Sequence, residues 1–211
     1  MGIALGHSSL RGIAFAALVT LVLALPLSAH QLVLMTGYAN SRTPETGPGV
    51  DSRHSPFRAG GGYAFTVRAD VDSRNRRFWF GPSLAFWNNL TGDPDPNANS
   101  SYLQLEFGGR LFVRTRSVPS LYGGVGAGYT FSHGEVIAKV DGSKQTFDGD
   151  FPTASVHFGV KSPGTTGLSV IAEGSYHFGL DQPTGRLAVG PAKAWLVQIG
   201  IGLDMLLGPQ P

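Results

Sequence analysis

At 211 residues the chain is sized for one ordinary domain or one membrane barrel, and its 14% charged residues fall far below the roughly 25% of an average soluble protein. A formal charge of +2, from 16 Lys and Arg against 14 Asp and Glu, is too small to drive binding to nucleic acid. Cysteine is absent, which excludes a disulfide framework and an acylated lipoprotein alike.

Residues 1–29 have the form of a secretory signal: Arg11 is the only formal charge, Ile13 to Leu25 is an almost unbroken apolar run, and Leu27-Ser28-Ala29 offers a small-residue cleavage site. Cleavage there is expected to leave His30 as the new terminus. The apolar run is shorter than the ~20 residues of a spanning helix, and Pro26 ends it. Nothing further along reaches ~18 continuous apolar residues, so a helical membrane bundle is excluded.

From Gln31 onward apolar residues alternate with Gly, Ser, His or charged ones. Strand side chains point alternately to opposite faces, so this period of two builds sheet with one apolar and one polar face. Strands are expected near Gln31 to Ala39, Arg58 to Asp70, Arg77 to Asn88, Ser101 to Arg114, Leu121 to Ser132, Phe151 to Lys161, Gly167 to Phe178 and Lys193 to Met205. Short links (Val71 to Arg76, Thr115 to Ser120, Ser162 to Thr166) take turns with long ones: Asn40 to Phe57, Asn89 to Ser100, His133 to Asp150 and Gly179 to Ala192. An up-and-down meander then gathers the short links at one end and the long, turn-rich, wet links at the other.

The apolar set contains no charge. It includes Phe65, Phe107, Val125, Phe158 and Trp195 to Leu203 at every second position, whereas Arg68, Glu106, Arg110, His157, Glu173, His177 and many glycines form the other set. A soluble barrel with the apolar set inside would crowd aromatics into a narrow lumen and leave an exterior largely of glycine. With the faces reversed, aromatics meet acyl chains, and no Arg or Lys incurs the roughly 2–4 kcal/mol of a mid-bilayer position. Tyr38, Phe86, Tyr102, Tyr129, Phe131, Tyr176, Phe178 and Trp195 fall near the long-link strand ends, where a headgroup girdle is expected. Pro82, on the apolar set inside the third strand, donates no ladder hydrogen bond, and a bulge there would leave the missing donor harmless.

These features, namely the signal, about eight amphipathic strands, alternating links and a final amphipathic strand, resemble the small OmpA/OmpX-like outer-membrane barrels. The resemblance implies an all-β, closed antiparallel up-and-down transmembrane barrel over residues 30–207, a short tail over 208–211, and outer-membrane localisation with both termini in the periplasm. It also implies outer-membrane lipid as surroundings and insertion by the barrel-assembly machinery. Gly200 with Leu203 and Met205, or Gly202 with Met205 and Leu207, matches the spacing read in a last strand, while Gly208-Pro209-Gln210-Pro211 replaces the usual terminal Phe.

Glu106, Arg110, His157 and Glu173 fall at comparable depth on the inward set and are the expected lumen polar network, a plug of ion pairs rather than a pore lining. Asp51 with His54-Ser55, and His133 with Glu135, are the only loop groups with a hydrolase flavour, and nothing fixes their geometry. No His pair or acid cluster has ligand spacing on one strand, so neither metal nor cofactor is implied. The expected role is non-catalytic: structural, adhesive or protective, exerted through the long links on a partner the sequence does not name. The alternatives are an outer-membrane lipid hydrolase or acyltransferase, and a secreted soluble barrel holding a hydrophobic ligand.

Overall fold

Period-two alternation becomes eight antiparallel strands in the computed structural model, which describes residues 30–42, 60–73, 77–90, 98–113, 119–137, 144–163, 167–180 and 193–205. The strands are β1 (Gln31–Arg42), β2 (Gly60–Asp72), β3 (Phe78–Leu90), β4 (Ala98–Val113), β5 (Ser120–Ile137), β6 (Lys144–Lys161), β7 (Leu168–Gly179) and β8 (Lys193–Asp204). Each pairs with its chain neighbours, and β1 pairs with β8 from Gln31↔Asp204 to Arg42↔Lys193, closing the barrel. Closure leaves no sheet edge along the shared height of the wall. The signal segment, residues 206–207 of the expected barrel and the 208–211 tail lie outside the described residues.

Two of the expected long links shorten because their residues continue the ladder. β5 and β6 stay paired out to Ile137↔Lys144, so most of His133 to Asp150 is a strand hairpin rather than a wet loop. β4 likewise begins at Ala98, paired with Val136. β7 meets β6 only from Thr153, so residues 144–152 of β6 extend past the end of β7. At the opposite end Gly167, at φ +80°, makes the turn into β7, a conformation that favours glycine.

No bulge accommodates Pro82. Pairing with β4 runs straight through Pro82↔Phe107, and the β2–β3 register has the same offset at Arg68↔Ser83 and, after a break, at Val71↔Phe80. The ladder is interrupted on the β2 side, where the ring has no N–H to offer. Neighbouring Gly81 lets the strands stay close there: a Cβ would run into the Ala69 carbonyl oxygen.

The outer face carries the uncharged apolar set, with Phe158 at 67%, Val125 and Val197 at 65%, and Ile199 and Phe107 at 60% exposure. Described charged residues on this face, among them Asp150 and Lys193, sit at a strand end or on the β5–β6 hairpin. In the middle of β1 the Thr36 hydroxyl donates to the Ala64 carbonyl at 3.2 Å, so it needs no water.

Candidate functional site

The lumen is built in three layers by residues of alternating parity. Toward the long links, Trp87, Tyr102, Phe151 and Leu196 pack with Ala39, Ala64, Ala85 and Ala194. Toward the short links, Val33, Met35, Phe112, Tyr122 and Ile171 pack against Trp79. Between these apolar floors lies a layer of buried charge. Sequence reasoning had the inward set as glycine and charge, and it missed the aromatic floors. Tyr102, expected in the outer girdle, is buried and stacks on Trp87 at 5.3 Å between centroids. Leu103 and Leu105 face outward on the same strand, so the parity of Tyr102 was the available signal.

The charge layer is centred on Glu173 from β7. Its Oε2 accepts from Arg68 Nη1 and from the Tyr122 hydroxyl, each at 2.6 Å, while Arg110 Nε lies 3.5 Å away. Its Oε1 meets His157 Nδ1 at 3.0 Å. Arg68 also donates through Nε to Asp70 Oδ2 at 2.7 Å. Arg110 makes longer contacts, 3.7 Å to Asp70 Oδ1 and 4.0 Å to Glu106 Oε1.

Glu106 completes the layer from β4. Its Oε2 accepts from Ser155 Oγ at 2.5 Å and from Gln104 Nε2 at 3.0 Å, while Oε1 stands 2.9 Å from His157 Nε2 without hydrogen-bond alignment. Both ring nitrogens of His157 therefore face carboxylates, an arrangement that suits the doubly protonated ring. Arg68, Arg110 and that imidazolium then balance Asp70, Glu106 and Glu173. His177 crosses His157 edge-on at 5.6 Å between centroids and receives or gives one hydrogen bond with Ser175 at 2.8 Å.

Glu106, Arg110, His157 and Glu173 thus come together in one layer. The structure adds Arg68, Asp70 and Tyr122, which sequence reasoning left out of the network. Arg68 stood on the inward set, but its depth relative to Glu173 follows from the barrel's stagger and cannot be counted along one strand. Asp51, His54 and Ser55 lie outside the described residues. His133 is exposed on the β5 extension, and Glu135 pairs through its backbone with Thr146. Among the described residues no group of three metal-ligating side chains is present.

A Ser-His-acid relay does occur, at an unexpected place. Ser155 Oγ is 2.8 Å from His157 Nε2, and His157 Nδ1 is 3.0 Å from Glu173. All three are buried, and the serine hydroxyl is also bonded to Glu106.

At the short-link mouth Gln31 donates to Asp204 Oδ1 at 2.5 Å and accepts from Lys161 Nζ at 3.1 Å, and the same ammonium lies 4.3 Å from the centre of the Trp79 ring. These groups cap the lower apolar floor.

No family model matches the chain, and no curated protein matches it in sequence. Solved structures do match it in shape. Neisserial surface protein A (NspA) superposes with a TM-score of 0.58 at 11% identity, over 83% of this chain and 96% of that one. The fold is the eight-stranded outer-membrane barrel fold. A major outer membrane protein from Thermus thermophilus superposes with a TM-score of 0.53 at 9% identity, over 81% of this chain and 98% of that one. At such identities the likeness speaks for the fold alone.

Proposed function

We propose that this chain is an exported, integral outer-membrane barrel without catalytic activity, serving a structural, adhesive or protective role through its long links. The observation that carries the reading is the inversion of solvent preference: uncharged apolar side chains cover the outside, while the arginines and carboxylates of the wall lie in the lumen. Dimensions support it. The 12 residues of β1, at about 3.3 Å each and tilted near 45°, span roughly 28 Å, close to the ~30 Å hydrocarbon core.

The stratified lumen supports a closed cylinder. Ions crossing it would have to pass two apolar floors and break the charge layer, so the ion pairs act as a structural plug. One observation favours a hydrolase, the Ser155–His157–Glu173 spacing, and its setting opposes that use. An imidazolium has no lone pair to take the serine proton, and a serine sealed between apolar floors meets no substrate.

Cell fractionation with carbonate extraction, joined to heat-modifiable gel mobility, tests the reading. Retention in the outer membrane until detergent is added, with a mobility shift on boiling, is expected. Release by carbonate alone would overturn it, and altered lipopolysaccharide acyl content on expression would overturn the non-catalytic part.

A further inference from the structure

Two imidazoles share one carboxylate inside the barrel. Glu106 stands 2.9 Å from His157 Nε2 through Oε1 and 3.8 Å from His177 Nδ1 through Oε2. The rings cross edge-on, with 5.6 Å between centroids. Their settings are unequal. His157 has a carboxylate at each ring nitrogen, whereas His177 has Ser175 Oγ 2.8 Å from Nε2 and no hydrogen-bond partner at Nδ1. A neutral ring fits the second setting, with Nε2 accepting the Ser175 O–H and Nδ1 keeping its own hydrogen.

The groups around His177 leave no counter-charge for a second imidazolium. Facing it are Glu106 and Arg110 from β4, His157 from β6 and Glu173 from β7 itself, with Arg68 and Asp70 of β2 lower in the layer. From β5 comes Tyr122, bonded to Glu173, and from β3 the Trp87 ring at 5.6 Å between centroids. Ala39 of β1 and Ala194 and Leu196 of β8 are apolar, and Lys161 lies by Asp204 at the short-link mouth, at 4.0 Å. With His157 charged, the cations Arg68, Arg110 and His157 cancel Asp70, Glu106 and Glu173. A proton on His177 as well would leave one positive charge uncompensated beneath the Trp87–Tyr102 stack, where burial makes such a charge costly.

We propose that the crossed His157–His177 pair is a pH-sensitive latch on the lumen plug: one imidazolium between two rings balances the layer, and acid loosens it by demanding a second. Below about pH 6.5 a free imidazole takes up a proton, so an unfolded chain gains a charge at His177 that the closed layer has no place for. Stability held by the layer therefore falls as the pH falls. The latch rests on the closed, membrane-embedded barrel and is indifferent to what the long links bind.

Parent and His177→Gln, refolded in lipid vesicles, are to be unfolded in urea at pH 7.5 and at pH 5. The parent's unfolding constant should rise about thirtyfold more between these two pH values than the variant's, the factor by which a free imidazole favours its charged form at pH 5. His157 is present in both proteins, so its own contribution cancels from the comparison. Nitrogen NMR of the imidazoles in the folded parent at pH 7 needs no variant: a doubly protonated ring at His157 and a neutral ring at His177 are expected. Two charged rings, two neutral rings, or equal pH dependence in parent and variant would each overturn the latch. Carbonate-resistant retention and heat-modifiable mobility at pH 7.5 test the barrel itself, so that reading fails or stands separately.

Discussion

Glu173→Gln tests the charge layer with almost no change of shape. Glu173 receives hydrogen bonds from Arg68 and Tyr122 at 2.6 Å each and faces His157 at 3.0 Å, all of them buried. Neutralising it leaves Arg68, Arg110 and the His157 imidazolium opposite only Asp70 and Glu106, one cation in excess between two apolar floors. Breaking a buried ion pair on one side costs about 3–5 kcal/mol, and the isosteric amide opens no cavity to add to that. Unfolding by urea in lipid vesicles, scored by heat-modifiable mobility, should show a loss of this size. Adding Arg110→Met restores balance by removing the cation with the longest contacts, and about 1–3 kcal/mol of favourable coupling is expected in the double-mutant cycle. A Glu173→Gln protein within about 1 kcal/mol of the parent, with an additive double mutant, would refute a dry layer, because ion pairs in contact with water are worth no more than that.

Ile199, mid-strand on β8 and 60% exposed, should tolerate Arg poorly: about 2–4 kcal/mol lost on refolding into vesicles if hydrocarbon surrounds it. A cylinder bathed in water would lose within about 0.5 kcal/mol. Gly126→Ala drives a methyl group into the Glu106 carboxyl group and to 2.6 Å from Ser155 Oγ, and should cost about 1–3 kcal/mol in the same assay. Gly123→Ala on the outer face of that strand, with its nearest neighbour the His157 carbonyl oxygen at 4.0 Å, should be neutral or gain up to about 1 kcal/mol.

The sequence by itself determined the strand number, the closed meander and the face that most residues take, Tyr102 being an exception. One period of two, written over and over, fixes parity locally: Leu168, Val170 and Ala172 face outward and Ser169, Ile171 and Glu173 inward as read. It also placed Glu106, Arg110, His157 and Glu173 inside. Tertiary structure decided what depth those parities reach. The stagger between strands sets which inward residues share a layer, so it brought Arg68, Asp70 and Tyr122 to Glu173 and set Trp87 against Tyr102, pairings that join residues from different strands. It also carried β5 and β6 past their expected ends, since a ladder continues wherever a partner strand offers hydrogen bonds, whatever the turn-forming residues suggest. Parity is a property of one strand, and depth is a property of the pairing between strands.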